Sequence, residues 1–269
     1  RPRTGRERAF VYGNLLLMIV LLFAPLLALV ARALTLGDEG FTLRYFELLA
    51  TNPRGSVLFV PPLEAVGNSL VFAAATTLLA LLLGIITAYL LARPSRLTAW
   101  LDPLFMLPLA TSAVTLGFGY IIAPLFVQTG LRTSPALIPI AHTLVAMPFV
   151  VRSVLPALRG IPPSVQGAAR VLGASPWTVW WLIDLPLISR GLIVGATFAF
   201  TVSMGEFGAS IFVARPDVPT MPIAIYRLLG QPGAVNYGQA LAMSTLLMLV
   251  CAVSFLLIER ARTAGVGEF

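Results

Sequence analysis

The sequence predicts an all-α, polytopic membrane protein: a bundle of about six transmembrane helices with one long cytoplasmic loop. Three observations predict it. The 269 residues are 58% hydrophobic and only 11% charged, with mean hydropathy +0.91, against about 25% charged residues in soluble domains. The apolar residues come in blocks of ~20, the length a helix needs to cross a hydrocarbon core roughly 30 Å thick. The arginines are scattered through the connections between those blocks, so the charge avoids the core.

The candidate spans are Phe10–Ala33, Ser69–Leu91, Leu101–Val127, Ala136–Val154, Leu187–Val213 and Gln239–Ile258. The fourth is interrupted by Pro139, His142 and Pro148, which membrane helices tolerate where they pack on neighbours. Six crossings place both termini on one side. With the N-terminus inside, Arg1, Arg3, Arg6, Arg8, Arg93, Arg96, Arg152, Arg159, Arg170, Arg190, Arg260 and Arg262 fall inside, and Arg32, Arg44, Arg54, Arg132, Arg215 and Arg227 outside. That excess puts both termini in the cytoplasm of a bacterial plasma membrane. Residues 1–9 then read as a basic linker, 10–262 as one membrane domain and 263–269 as a tail. The opening Arg1-Pro2-Arg3-Thr4-Gly5-Arg6, without an initiator methionine, reads as a processed chain or a piece of a longer one. The first apolar run is too long for a cleavable signal and lacks a convincing small-x-small cleavage site before the loop.

Composition also excludes several chemistries. A net charge of +7 invites nucleic acid, but no basic face with interleaved aromatics is present, so no nucleic-acid partner is expected. The 18 basic residues are all arginine, which excludes a P-loop lysine, a Schiff-base lysine and a pyridoxal or retinal attachment. Nucleotide chemistry must therefore reside on another subunit, and no cofactor belongs to this chain. Cys251 is alone and lies in an apolar run, so neither an intrachain disulfide nor a cysteine metal cluster is available.

Two connections have their own pattern. Outside, Thr42 to Leu49 carries a threonine cap and near-helical apolar spacing, consistent with a helix on the membrane surface or a spacer helix, the spacer being favoured. Inside, Arg152 to Arg190 reads as two short helices. Ile161-Pro162-Pro163-Ser164 starts the first, with Ser164 as its cap, and Gly173 stops it. Ser175-Pro176 caps and opens the second, and Pro186 ends it. Between them Gly167, Ala168 and Ala169 present a face of very small side chains that another protein could approach closely.

The string Gly167-Ala168-Ala169-Arg170-Val171-Leu172-Gly173, then nine residues to Ile183-Asp184-Leu185-Pro186, resembles the EAA loop of permease subunits of binding-protein-dependent ABC importers. The spacing matches E-A-A-x3-G-x9-I-x-L-P throughout, with Gly167 in place of the acid. The resemblance runs from about Asn68 to Arg262. Ser203-Met204-Gly205-Glu206-Phe207-Gly208-Ala209-Ser210, with Arg215-Pro216-Asp217 and Thr220-Met221-Pro222, is similar to ferric-iron and thiamine permeases. The resemblance implies a coupling loop at about 155–186 in which Gly167, Ala168, Ala169, Gly173, Trp177, Ile183, Leu185 and Pro186 meet a cytoplasmic ATPase dimer, which holds the ATP and Mg. It also implies a periplasmic or extracellular solute-binding protein, and a second permease half in the bilayer. The chain resembles the C-terminal half of a duplicated permease.

Candidate pathway or gate residues are Ser203, Glu206, Phe207 and Ser210. Apart from Asp102 at the very edge of the third, Glu206 is the one acid inside an expected span, and a carboxylate there must face a cavity, pair or be neutralised. A pathway residue and a structural acid bonded to a neighbouring helix both fit. His142 has no carboxylate at helical spacing and reads as a satisfied packing histidine. Gly191-Leu192-Ile193-Val194-Gly195 is a small-xxx-small helix contact. Trp177, Trp180 and Trp181 read as interface anchors, with Trp177 the nearest to a partner. A proton-coupled secondary transporter using Glu206 is the alternative function. An intramembrane hydrolase lacks a nucleophile, base or metal set within the spans.

Overall fold

A computed structural model describes residues 4–35, 40–51 and 60–264. Arg1, Arg3, Arg54 and the tail beyond Ala264 lie outside these residues. The first helix, α1 (Gly5–Thr35), opens on a capping box in which Thr4 Oγ1 accepts from Glu7 N and Glu7 Oε2 accepts from Thr4 N. It runs with almost all its apolar side chains exposed, touching chiefly the last helix. Next come α2 (Arg44–Glu47), continued by a 3-10 turn at Leu48–Ala50, and α3 (Glu64–Ala92). Then follow α4 (Arg96–Ala110), α5 (Ala113–Ile122), α6 (Pro124–Gln128), α7 (Leu137–Arg159) and α8 (Pro163–Val171). The chain closes with α9 (Pro176–Val179), α10 (Leu185–Gly205), α11 (Ser210–Val213), α12 (Met221–Leu229) and α13 (Ala234–Ala264).

Among the described residues, five helical runs are long and apolar enough to cross a bilayer: α1, α3, α7, Pro176–Gly205 and α13. Each expected span other than the third and fifth lies within one of them to a residue. The third, Leu101–Val127, is not one helix. It breaks between α4 and α5, which bend by 99°, the geometry of a broken sixth span or a re-entrant loop. Pro108 removes a backbone donor near the end of α4, and Thr111 Oγ1 donates back to Leu107 O, closing that helix before the extended Ser112. Ala123 is extended as well because Pro124 follows it.

The fifth span also differs, at both ends. Pro186 does not end the second loop helix. A π turn at Trp180–Asp184 leads from α9 straight into α10, making one helical run of 30 residues. Proline lacks the N–H of a regular turn and crowds the carbonyl four residues back, and the wider turn accommodates this. At the other end α10 stops at Gly205, and Glu206 is extended.

The centre of the bundle is α7, with α10 packed against its backbone and α3 packed against its Val150 side chain. A Cβ on Gly84 would lie 2.6 Å from Val150 Cγ1, one on Gly191 2.6 Å from Ser153 O, and one on Gly195 3.1 Å from Val150 Cα. The small-xxx-small pair of α10 therefore receives α7, as its spacing predicts. Ala80, Ala88, Leu91, Ala146, Val150, Val154 and Ile188 fill the core between the three helices. A second core joins α2, α12 and α13 around Tyr45, Leu49, Met204, Met221 and Met243.

That second core fixes the position of the outer helix. α2 packs on α13: Tyr45 lies across Gly238, where a side chain would overlap its ring, and Gln239 Nε2 donates to Leu48 O at 2.9 Å. Thr42 Oγ1 does accept from Arg44 N at 3.2 Å, although Leu43 takes the cap position. Asn68 and Ser69 also tie elements together, Asn68 Nδ2 donating to Pro219 O and Ser69 Oγ accepting from Met221 N, which fastens α12 to α3.

Gly191→Val forces a side chain against the α7 backbone, and overpacking of this kind costs about 1–3 kcal/mol. Its denaturation midpoint in detergent is expected to fall clearly. Gly67→Ala, where a Cβ meets nothing within 4 Å, should leave the midpoint in place. Equal midpoints for the two variants would contradict the packing described.

Candidate functional site

The connection between α7 and α10 contains one free-standing helix, α8. Pro162, not Ser164, is its cap position, and no side chain caps it. The Pro162-Pro163 pair sets that boundary, because a residue before proline is held extended and proline itself suits the first helical position. At the other end Gly173 takes φ +84°, Gly173 N donates to Arg170 O at 3.0 Å and Ala174 N to Ala169 O at 3.0 Å. This double bond pattern is the glycine stop that the sequence predicts. Ser175 then accepts from Thr178 N at 3.1 Å, with Pro176 first in the next helix.

The result is an exposed apolar tip. Val171 is 89% exposed, Leu172 87% and Trp177 67%, while Gly167 and Ala168 are exposed and Ala169 is half-buried. Positions 167 and 173 have open space where a Cβ would point. Aliphatic and aromatic side chains exposed together on a helix–turn mark a surface for contact with a protein or a membrane. Val171 and Leu172 were legible only as spacer positions of the motif, and their signal is two aliphatic residues directly before a glycine stop. Trp177 stacks on Trp180 with centroids 5.2 Å apart, and Trp181 meets both edge-on.

Ile183, Leu185 and Pro186 sit apart from the tip in sequence, in the π turn and first turn of α10, where Asp184 forms the root of the loop. It is 5% exposed. Its Oδ1 accepts from Gln166 Nε2 of α8 at 2.8 Å, and its Oδ2 accepts from the Tyr89 hydroxyl of α3 at 3.0 Å. One carboxylate thus ties α8, α3 and α10 together. Beside it Arg159, ending α7, donates to Leu91 O at 3.0 Å, which satisfies a carbonyl left open by the last turn of α3.

The other candidate residues gather at the far end of α10. Glu206 is 7% exposed, and its two oxygens accept from Ala209 N and Ser210 N, each at 3.0 Å. They satisfy backbone donors that the helix break would otherwise leave open, as hydrocarbon surroundings demand. Buried His142 bonds Ser203 Oγ through Nδ1 at 2.8 Å and Ser210 Oγ through Nε2 at 2.7 Å, with Nε2 also 3.5 Å from Glu206 Oε2. Ser203 donates to Thr76 Oγ1 at 3.2 Å. His142 is therefore satisfied on both nitrogens, and it does have a carboxylate neighbour, one that helical spacing could not reveal. Phe207 is half-buried, its ring 5.2 Å from that of Tyr226.

Residues 80–262 match the family described as binding-protein-dependent transport system inner membrane component, and the chain belongs to that family. It is a multi-pass inner-membrane permease of an ABC-type importer, a transport component and not an enzyme. The molybdenum transport system permease protein ModB of Mycobacterium tuberculosis is 37% identical over 198 residues, covering 67% of this chain and 72% of its own. PhnV of Salmonella paratyphi A, named for 2-aminoethylphosphonate transport, is 28% identical over 264 residues, covering 95% and 94%. In fold, the chain is similar to a bacterial ABC transporter involved in alginate import, with TM-score 0.71 at 18% identity over 96% of both chains.

Losing hydrogen bonds to a buried carboxylate costs roughly 1.5–3 kcal/mol. Asp184→Ala is therefore expected to raise amide hydrogen exchange across Pro163–Val171 by about tenfold or more, with α13 unmoved. Unaltered exchange in α8 would show that Asp184 does not hold the loop.

Proposed function

We propose that this chain forms one half of the membrane pathway of an importer, with both termini and the α8 loop in the cytoplasm. The loop docks on an ATPase dimer, a binding protein delivers solute from outside, and a second permease half completes the pathway. That half is a covalent N-terminal unit, an identical copy or a different permease. The observation that carries this reading is the tip of Val171, Leu172 and Trp177, exposed at one end and rooted by Asp184 at the other. ATP can drive the cycle only if the ATP-bound dimer binds one permease conformation better than the other. A rooted loop converts that differential affinity into movement of α3, α7 and α10.

The solute we propose is small, of the molybdenum or 2-aminoethylphosphonate kind carried by the relatives, ahead of the ferric iron or thiamine that the Ser203–Ser210 string suggests. Uptake assays with each solute and the neighbouring binding protein would decide. In this reading Ser203, Glu206, Phe207 and Ser210 form the pivot of a gate. The Glu206 carboxylate holds the break after α10 in place while the pathway opens. A proton-coupled transporter would instead need Glu206 to release those backbone donors, and uptake without ATP would favour it.

Two variants test the proposal. Gly173→Val places a β-branched residue at φ +84°, where the left-handed conformation costs roughly 1–2 kcal/mol. It is expected to insert normally, yet lose co-purification with the ATPase and lose ATPase stimulation. Normal transport by this variant would count against the coupling role. Glu206→Gln leaves one backbone donor facing an amide, and it is expected to assemble normally but transport several-fold more slowly. Unchanged uptake at every pH would reduce Glu206 to a structural residue.

A further inference from the structure

Two adjoining concavities lie where α3 leaves its span. One is an apolar groove of about 450 Å³ lined by Leu82, Ile85, Ile86, Tyr89 and Trp180. The other is a cleft of about 630 Å³ that Tyr89 and Trp180 also line, together with Arg93, Arg159 and Arg170. The shared pair of aromatic residues makes them one depression, apolar along the last turns of α3 and basic just past its end. Leu82 to Tyr89 covers roughly 10 Å of helix axis. Leu82 and Ile86 are exposed on it, open to whatever surrounds the span.

The basic end is unspent. Among the described residues none of Arg93, Arg159 and Arg170 forms an ion pair, although Arg159 has its bond to Leu91 O. The one acid in the cleft, Asp184, already has both oxygens engaged by Gln166 and Tyr89.

We propose that this depression binds an anionic phospholipid, its phosphate among the three arginines and an acyl chain along the groove. Guanidinium groups recognise phosphate through paired N–H donors. Basic pockets between helices on the cytoplasmic side suit anionic headgroups. Trp180 and Tyr89 stand between the two parts, where amphipathic rings favour the headgroup level. The inference rests on the orientation given under the proposed function. Because Arg170 belongs to α8 and Arg93 ends α3, the bound lipid braces the loop against the span.

The test is native mass spectrometry of the detergent-purified full chain with three probes: dioleoylphosphatidylglycerol, dioleoylphosphatidylcholine and glycerol 3-phosphate. Phosphatidylglycerol is expected to be retained well above phosphatidylcholine, and glycerol 3-phosphate not at all. Arg93→Gln and Arg170→Gln should each weaken phosphatidylglycerol binding about fivefold. Ile86→Trp, which fills the groove and spares the arginines, should weaken it as well, and size-exclusion elution checks that each variant folds. Equal retention of the two lipids, or retention unmoved by every variant, would overturn the proposal. Retention of glycerol 3-phosphate at the level of the lipid would make this a free-anion site and overturn it too. A disulfide from Ile86→Cys to a second transmembrane chain would give the groove to that chain instead. ATPase co-purification is read separately: lipid loss with an intact ATPase complex defeats only the lipid site, and the reverse defeats only the docking assignment.

Discussion

The Gly191, Gly195 pair lets α10 close on the backbone of α7, and Gly84 lets α3 close on the Val150 side chain of the same helix. Everything else depends on that contact. Between membrane helices there is no gain from hiding apolar surface from water, so cohesion comes from close packing and from hydrogen bonds. Three helices packed this closely make a stiff body, since packed interiors do not deform continuously. The α8 loop joins the ends of two of those helices, and Asp184 fastens it to the third through Tyr89. A push on the tip is thereby a push on the body.

At the opposite end the same logic appears in polar form. Breaking the helix between Gly205 and Ser210 leaves the first backbone N–H groups of α11 without intrahelical partners. Glu206 takes two of these donors, and His142 binds Ser203, Ser210 and, near by, the carboxylate. The cluster draws on α3, α7, α10 and α11, so the break is held by every helix of the stiff body. A buried acid that looks costly in a span is here the group that makes a non-helical segment affordable.

Much of this was legible along the chain because its causes are local. Apolar run length located the spans. The Gly173 stop, the Ser175 cap and Pro176 each follow from the conformational limits of one residue. The packing of Gly191 and Gly195 followed from their spacing. Other features depend on residues far apart in sequence. Helical spacing could not join His142 to Glu206, or Asp184 to Tyr89 and Gln166. The notch at Gly238 that receives Tyr45 looks like any glycine in an apolar helix until α2 is placed on it. The bend between α4 and α5 and the π turn before Pro186 reflect a choice proline leaves open: it disrupts regular bonding, and tertiary packing decides whether the helix stops, bends or widens.

The central claim is that the α8 tip and the α3–α7–α10 body move as one piece when ATP binds the partner. The direct measurement is spin-label distance on the assembled transporter in lipid, with and without ATP. One pair joins Ala168→Cys to Val145→Cys on α7, and a second joins Ala168→Cys to its counterpart site on the other half. The account predicts a constant first distance and a second that changes with ATP. A first distance that shifts while the second stays put would mean the loop swings freely from the helices, and the rooted lever described here would be wrong.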